Sequence, residues 1–261
     1  MDPIELIATA TFGLEAIVAE ELKNLGYENL TVENGRVTFE ADLTALCRCN
    51  LWLRTSDRVR LKVGEFRAVT FEELFEQTKA LPWAHWIPEN AQFPVEGKSV
   101  KSALFSVPDC QAIVKKAVVE SMKKKYRTEW FQEDGPLYKI EVALLKDIVT
   151  LTIDTSGPGL HKRGYREHNA QAPLKETLAA AMVLLSRWHP GTTLVDPFCG
   201  SGTIPIEAAM IGSNIAPGSR RRFVSETWPT IPKKLWETAR QEVSEAAGQD
   251  CSLDILGYDI D

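Results

Sequence analysis

The residues best suited to chemistry lie in one short segment, Asp196-Pro197-Phe198-Cys199-Gly200-Ser201-Gly202-Thr203. An apolar pair, Leu194-Val195, precedes it and the apolar stretch 204–211 follows it, which predicts a strand, a glycine turn and the start of a helix. The two glycines beside Ser201 let the backbone approach a ligand closely, and the first N–H groups of a helix have no partners inside the helix. The segment therefore predicts a site for a carboxylate or a phosphate group.

This turn differs from the two common nucleotide-binding glycine turns. A P-loop has Lys-Ser or Lys-Thr after its last glycine, whereas Thr203 and Ile204 follow Gly202. A dinucleotide turn has a third glycine where Pro205 stands. Asp196, at the end of the strand, suits a ligand whose cation lies close to its anion, because Asp196 can face an ammonium while the helix N-terminus faces a carboxylate. The amino-acid end of S-adenosylmethionine has this pattern.

A second acidic residue, Asp259, closes a later predicted strand at 253–260. An acid at the tip of the next strand is placed to hold a ribose diol. Asp259 lies much farther from Asp196 than the roughly 20 residues of a minimal strand–helix–strand unit, which predicts an insertion at 212–249. The insertion contains the basic run Arg220-Arg221-Arg222 and a predicted helix at 233–247.

The segment 196–203 resembles the first motif of class I S-adenosylmethionine-dependent methyltransferases that modify amino groups. Two upstream segments, LHKRGYR at 160–166 and APLKETLAA at 172–180, are similar to one branch of that class, the THUMP-domain 23S rRNA guanine-N2-methyltransferases. The resemblance extends to 8–25 and 50–54, and so over nearly the whole chain. It implies methyl transfer to guanine N2 in 23S rRNA, with S-adenosylmethionine as the cofactor and RNA as the partner.

The resemblance also implies which residues contact the cofactor. They are Asp196, Pro197, Phe198, Gly200, Ser201, Gly202, Thr203 and Asp259. These enzymes share a later Asn/Asp-Pro-Pro-Phe/Tyr motif that accepts hydrogen bonds from the target amino group, and no such tetrapeptide occurs in this sequence. We therefore expect a C-terminally truncated part of a longer enzyme, with part of the cofactor site and no catalytic residue.

Composition narrows the class of protein. No apolar run approaches the roughly 18 residues of a membrane span, and the N-terminus has no basic region followed by an apolar block. We therefore expect a cytoplasmic protein with no membrane partner. The five cysteines form no C-x-x-C pair and the four histidines are scattered, so we expect free thiols, no disulfide framework and no metal site.

Basic residues cluster even though the net charge is −6 at pH 7. The candidates for RNA contact are Lys115, Lys116, Lys123, Lys124, Arg163 and Arg166. The four lysines fall at intervals that could share part of one helix surface, and either a solvated face or contact with RNA explains them. The two arginines fit two interpretations equally: ion pairs that pin the hinge just before them in the chain, or contact with RNA phosphate.

Strand and helix patterns alternate along the first 154 residues. A strand at 4–9, a helix ended by Gly26, a hairpin around Asn34-Gly35 and a helix capped by Asp42 form part of a ferredoxin-like unit. A second unit follows, with a strand at 58–66, a helix at 71–80, a strand near 92–97, a long helix at 108–126 and a hairpin that turns at Lys146-Asp147. By the resemblance, the second unit is the RNA-binding THUMP module.

The expected fold class is therefore a multidomain combination of α/β and α+β units. We predict an N-terminal ferredoxin-like domain at 1–57, a THUMP domain at 58–156, and the first part of a Rossmann-like methyltransferase domain at 157–261. The segment 155–159, Thr-Ser-Gly-Pro-Gly, is the expected hinge. Two other functions stay open: a DNA adenine-N6 methyltransferase, which shares the cofactor turn, and a non-catalytic RNA-binding protein that retains a cofactor fold.

Overall fold

The computed structural model describes residues 3–166, 174–248 and 252–260. Its strands are β1 (Ile4–Ala10), β2 (Thr31–Glu33), β3 (Arg36–Ala41), β4 (Ser56–Arg67), β5 (Val95–Val100), β6 (Ile140–Leu145), β7 (Ile148–Asp154), β8 (Leu194–Asp196) and β9 (Ile255–Gly257). Its helices are α1 (Glu15–Asn24), α2 (Leu43–Trp52), α3 (Phe71–Ala80), α4 (Trp83–Trp86), α5 (Val107–Tyr126), α6 (Glu176–Leu185), α7 (Thr203–Gly212) and α8 (Lys233–Ala246). A short 3₁₀ helix spans Val224–Thr227.

Seven strands form one sheet in the order β2-β3-β1-β4-β7-β6-β5, and β8 and β9 form a separate parallel pair. Neighbours in the large sheet are antiparallel except β5 and β6. The long strand β4 pairs with β1 on one side and with β7 on the other. The two predicted N-terminal units therefore share a single sheet, which the β6–β7 hairpin completes.

The local signals in the sequence form the predicted turns and caps. Gly26, just after α1, has φ +91°, a left-handed conformation that favours glycine. Asp42 Oδ1 accepts a hydrogen bond from Ala45 N at 2.8 Å, which caps α2. Lys146 and Asp147, between β6 and β7, have φ of +51° and +65°, the backbone of a tight two-residue hairpin.

The large sheet buries one face. Alternate residues of its central strands are fully buried, among them Leu6 of β1, Leu61 of β4 and Leu151 of β7. The opposite face carries paired charges, such as Arg60 and Glu141 at 2.9 Å. Because successive side chains of a strand point to opposite faces, this alternation fixes the register of the sheet against its helices.

The segment 155–159 is not the hinge that its glycines and proline suggest. Thr155 and Ser156 are fully buried. Asn50 Nδ2 donates to Thr155 Oγ1 at 2.9 Å, and Ser156 Oγ donates to Asn50 Oδ1 at 2.6 Å. Arg221, from the insertion, donates to the carbonyl of Gly159 at 2.6 Å. The hinge prediction is wrong because these distant partners fix the segment on both sides.

The insertion packs on the N-terminal domains. Trp228 stacks on Tyr138 with ring centroids 4.2 Å apart and an interplanar angle of 15°. Trp228 Nε1 also donates to the carbonyl of Leu137 at 2.9 Å. Farther along, Arg48 on α2 donates twice to the Glu242 carboxylate on α8, both at 2.8 Å. The predicted insertion therefore packs against both of the predicted N-terminal units.

Two predicted strands have different limits in the structure. The strand expected near 92–97 begins at Val95, because Pro94 has no N–H for the ladder, and Gln92 makes only an isolated bridge to Leu137. The strand expected at 253–260 is limited to 255–257, since its partner β8 ends at Asp196, before Pro197. His168, 172–173, Gln249 and Cys251, which the sequence analysis covered, lie outside the described residues.

Candidate cofactor site

The glycine turn joins β8 to α7, as predicted. Asp196 is the last residue of β8, and Gly202 is the residue just before the first turn of α7. Gly200 and Gly202 have φ of +51° and +73°, so both need the left-handed freedom of glycine. Gly202 N donates to the Cys199 carbonyl at 2.8 Å, which closes the turn.

The second predicted acid lies beside this turn. β8 and β9 run parallel with Asp196 opposite Gly257, so their carboxyl ends meet at one edge. Tyr258 N donates to the Asp196 carbonyl at 2.9 Å, and Cys199 N donates to the Tyr258 carbonyl at 2.8 Å. Gly200 N donates to Asp259 Oδ2 at 2.7 Å. The structure thus brings the two acids together around the glycine turn.

The turn faces open space and carries positive partial charge. A Cβ built on Gly200 would meet no heavy atom within 4 Å, and Phe198 is 88% exposed. Helix α7 has no side-chain cap, so its N-terminus presents uncapped N–H groups. Asp196 is half-buried, and its Oδ1 accepts a hydrogen bond from Phe198 N at 3.2 Å. These residues fit the charged amino-acid end of S-adenosylmethionine, with its carboxylate at α7 and its ammonium near Asp196.

Arg166 also lies at this turn. Its Nη2 donates to Thr203 Oγ1 at 2.6 Å and to the Leu174 carbonyl at 3.1 Å. Its Nε lies 2.7 Å from Glu176 Oε1. The structure therefore places Arg166 beside a predicted cofactor residue, and its contacts fit the ion-pair interpretation rather than the RNA interpretation.

Arg163 lies in the interior, where RNA does not reach it. The side chains of Arg163 and Glu207 are 1% and 0% exposed, and their N–O distances are 3.3 and 3.4 Å. Arg163 also donates to the carbonyls of Leu160 and Arg54, and the Tyr165 hydroxyl donates to Glu207 at 3.1 Å. The RNA-binding prediction for Arg163 is corrected here: its guanidinium is saturated by an internal ion pair.

The α5 lysines divide into two kinds. Lys115 Nζ lies 2.6 Å from Glu133 Oε1, and Lys123 Nζ lies 3.0 Å from Glu129 Oε2. The hydrogen bonds that Lys123 donates, first to Glu129 and then to Glu120, raise the pKa of Lys123. Lys116 and Lys124 are exposed. The acids beside Lys115 and Lys123 reduce their attraction for phosphate, so only Lys116 and Lys124 keep the predicted role.

The four cysteines that the structure describes show no catalytic arrangement. Cys47, Cys49 and Cys110 are buried free thiols. Burial raises the pKa of Cys47 to about 12, which keeps this thiol protonated and unreactive at neutral pH. Cys199, in the glycine turn, is half-buried. In the described part of the chain, no group of three or more His, Cys, Asp or Glu residues could hold a metal ion, and no helix is long and apolar enough to cross a membrane.

Sequence reasoning missed two residues that hold this region together. Glu207 lies in the middle of an otherwise apolar helix and is fully buried. A lone acid on an apolar helix requires a buried partner, and that signal was available in the sequence. Arg221 stood in a basic run that suggested surface charge, and only the structure shows it donating to the carbonyls of Gly159 and Lys162.

The fold and the site define a class, a methyltransferase whose cofactor domain follows two smaller N-terminal domains. Comparison with known families agrees. Residues 5–60 match the RlmL ferredoxin-like domain, residues 68–154 match the THUMP domain, and residues 163–261 match the RMKL-like methyltransferase domain.

Relatives match along the whole chain. It is 58% identical over 263 residues to "Putative RNA methyltransferase YpsC" of Bacillus subtilis (strain 168), an alignment that covers 100% of this chain and 68% of YpsC. A Listeria monocytogenes str. 4b F2365 structure, described as a "predicted N6-adenine-specific DNA methylase", is 61% identical with a TM-score of 0.97, covering 100% of this chain and 69% of that one. SMU.472, "a putative methyltransferase complexed with SAH", is 49% identical with a TM-score of 0.95 and the same coverage.

The chain belongs to the same methyltransferase family as these relatives, with ferredoxin-like and THUMP domains before the methyltransferase domain. The predicted family and fold class are thereby confirmed. The prediction of S-adenosylmethionine as the cofactor is confirmed as well, because it is the methyl donor of this methyltransferase family.

Proposed function

We propose that the protein transfers a methyl group from S-adenosylmethionine to guanine N2 of 23S rRNA. In this proposal the chain supplies the RNA-docking modules and part of the cofactor site. The observation that carries it is the meeting of two acid-tipped strands and the uncapped N-terminus of α7 at one glycine turn. That turn lies on the same chain as a THUMP domain. An rRNA substrate would place the enzyme in the cytoplasm.

The residues at the turn would bind and orient the cofactor. S-adenosylmethionine supplies an electrophilic methyl group on its sulfonium. Asp196 would face the ammonium, and Asp259 would accept hydrogen bonds from the ribose hydroxyls. Ser201 and Thr203 would give the carboxylate its backbone donors at the start of α7, since the N–H groups of Gly200 and Gly202 already have partners. Holding the donor in one geometry lowers the barrier to methyl transfer, because the binding energy offsets the entropy that is lost when the reacting atoms are aligned.

The N-terminal modules would dock the RNA. Lys116 and Lys124 are exposed on α5 and are the lysines available for phosphate contact. We propose the domain limits 1–57, 58–156 and 157–261 for these modules and the cofactor part. The guanine would have to leave its stack to reach the methyl group, since a stacked base hides its exocyclic amine.

A DNA adenine-N6 methyltransferase is the second candidate, because the Listeria relative is described as such a methylase. The test incubates the full-length protein and radiolabelled S-adenosylmethionine with 23S rRNA or with duplex DNA, followed by nucleoside analysis. N2-methylguanosine in the rRNA supports the proposal, and N6-methyladenine in the DNA overturns it. An Asp196→Asn variant is the control for transfer that depends on this site.

A further inference from the structure

Arg166 joins the beginnings of two helices. α6 begins at Glu176 and α7 begins at Thr203. The guanidinium contacts both residues: Nε lies 2.7 Å from Glu176 Oε1, and Nη2 donates to Thr203 Oγ1 at 2.6 Å. The N-termini of α6 and α7 therefore lie on either side of one cation.

This arrangement is electropositive. Each helix N-terminus is equivalent to roughly half a positive charge, and neither α6 nor α7 has a side-chain cap. The Glu176 carboxylate offsets the charge of Arg166, which leaves about one net positive charge from the two helix ends. An anion stabilises such a place, and the predicted anion is the cofactor carboxylate at α7.

Arg166 still has hydrogen-bonding capacity for that anion. Its Nη1 makes no hydrogen bond to any residue that the structure describes, and its side chain is 21% exposed. An N–H of a guanidinium forms a strong charge-assisted hydrogen bond with a carboxylate oxygen. Glu176 and Thr203 hold the other two nitrogens, so the orientation of Nη1 is fixed before a ligand binds.

We infer that Arg166 is a specificity-determining residue of the cofactor site, where it selects ligands that carry the methionyl carboxylate. This inference rests on the proposed cofactor site. It assigns a direct role to a residue that the sequence connected with RNA. The competing explanation is that Arg166 only supports Thr203 and the turn, which would affect every adenosyl ligand equally.

The test measures binding of two probes to the full-length protein by titration calorimetry. S-adenosylmethionine carries the carboxylate, and decarboxylated S-adenosylmethionine lacks it but keeps the ammonium, sulfonium and adenosine. We expect the unmodified protein to prefer the first by about tenfold or more, the effect of one charge-assisted hydrogen bond. Arg166→Gln should lose most of that preference while binding the decarboxylated probe within about twofold of the unmodified protein. Arg166→Lys should keep part of the preference.

The control is Lys162→Gln, which removes an exposed cation near Arg166 in the chain and should change neither affinity. A preference below about twofold in the unmodified protein overturns the inference without any variant. Equal losses for both probes in Arg166→Gln overturn it in favour of the supporting role. If the unmodified protein binds neither probe, the proposed function fails, and the inference fails with it.

Discussion

Replacing Arg163 by methionine should destabilise the protein by about 3–5 kcal/mol, because it leaves the Glu207 carboxylate buried without its countercharge. Glu207 is fully buried, and its oxygens lie 3.3 and 3.4 Å from Arg163 nitrogens. After the change, its remaining donor among the described residues would be the Tyr165 hydroxyl, 3.1 Å away. One neutral hydrogen bond does not replace the solvation of an ionised carboxylate.

The double variant Arg163→Met/Glu207→Met tests whether this loss of stability comes from the unpaired charge. It removes both charges at once, so no ion stays buried, and an apolar pair often replaces a buried ion pair at little cost. We expect the double variant to be less destabilised than the sum of the two single variants, with a coupling energy of at least about 2 kcal/mol.

The assay is equilibrium unfolding in urea, followed by far-UV circular dichroism, for the four proteins of the cycle. Lys162→Met is the matched control, because it removes an exposed cation one position away and should change the free energy of unfolding by less than about 0.5 kcal/mol. The reasoning would be refuted if Arg163→Met lowered the free energy of unfolding by less than about 1 kcal/mol, or if the effects of the two single variants added up to that of the double variant. Lower RNA affinity with unchanged stability would restore Arg163 as an RNA contact.

Three further outcomes are expected. Asp196→Asn and Asp259→Asn should each weaken S-adenosylhomocysteine binding about 10- to 100-fold, as a lost charge-assisted hydrogen bond does, and unchanged calorimetric affinity in both would contradict the site. Lys116→Glu combined with Lys124→Glu should lower the affinity for an rRNA fragment and flatten its salt dependence, measured by fluorescence anisotropy; identical curves would leave this helix face merely solvated. Alkylation of Cys199 by iodoacetamide, followed by peptide mass spectrometry, should slow when S-adenosylhomocysteine is added, and an unchanged rate would place the ligand elsewhere.

Features encoded by neighbouring residues could be predicted from the sequence. The hairpin at Asn34-Gly35, the cap at Asp42 and the turn at Lys146-Asp147 depend on backbone preferences within a few residues. The glycine turn was predictable in the same way, because the positive φ of Gly200 and Gly202 is a backbone conformation that glycine itself favours. The turn alone indicated a ligand with a cation close to an anion, and the family resemblance identified this ligand as S-adenosylmethionine.

Features that depend on distant partners could not be predicted. A lysine spacing on α5 says nothing about Glu133, which follows the helix and neutralises Lys115. The Gly-Pro-Gly composition of 157–159 indicates flexibility, yet Arg221 holds its carbonyls from far along the chain. The shared sheet could not be predicted for the same reason. The pairing of β4 with both β1 and β7 joins strands far apart in the chain, and the residue pattern within each strand does not specify its partners.

The buried ion pair connects the two halves of the proposed function. Glu207 lies on α7, the helix whose first turn forms the cofactor site, and Arg163 joins it to the carbonyl of Arg54, which follows α2 of the ferredoxin-like domain. The Trp228–Tyr138 stack makes a second connection, between the insertion and the THUMP domain. Because both contacts are desolvated, moving the domains apart would expose an ion pair and two aromatic rings together. In the proposed function, an RNA held on the THUMP side would therefore meet the cofactor turn at a fixed separation, and the domain interface would restrict which nucleotide reaches the methyl group.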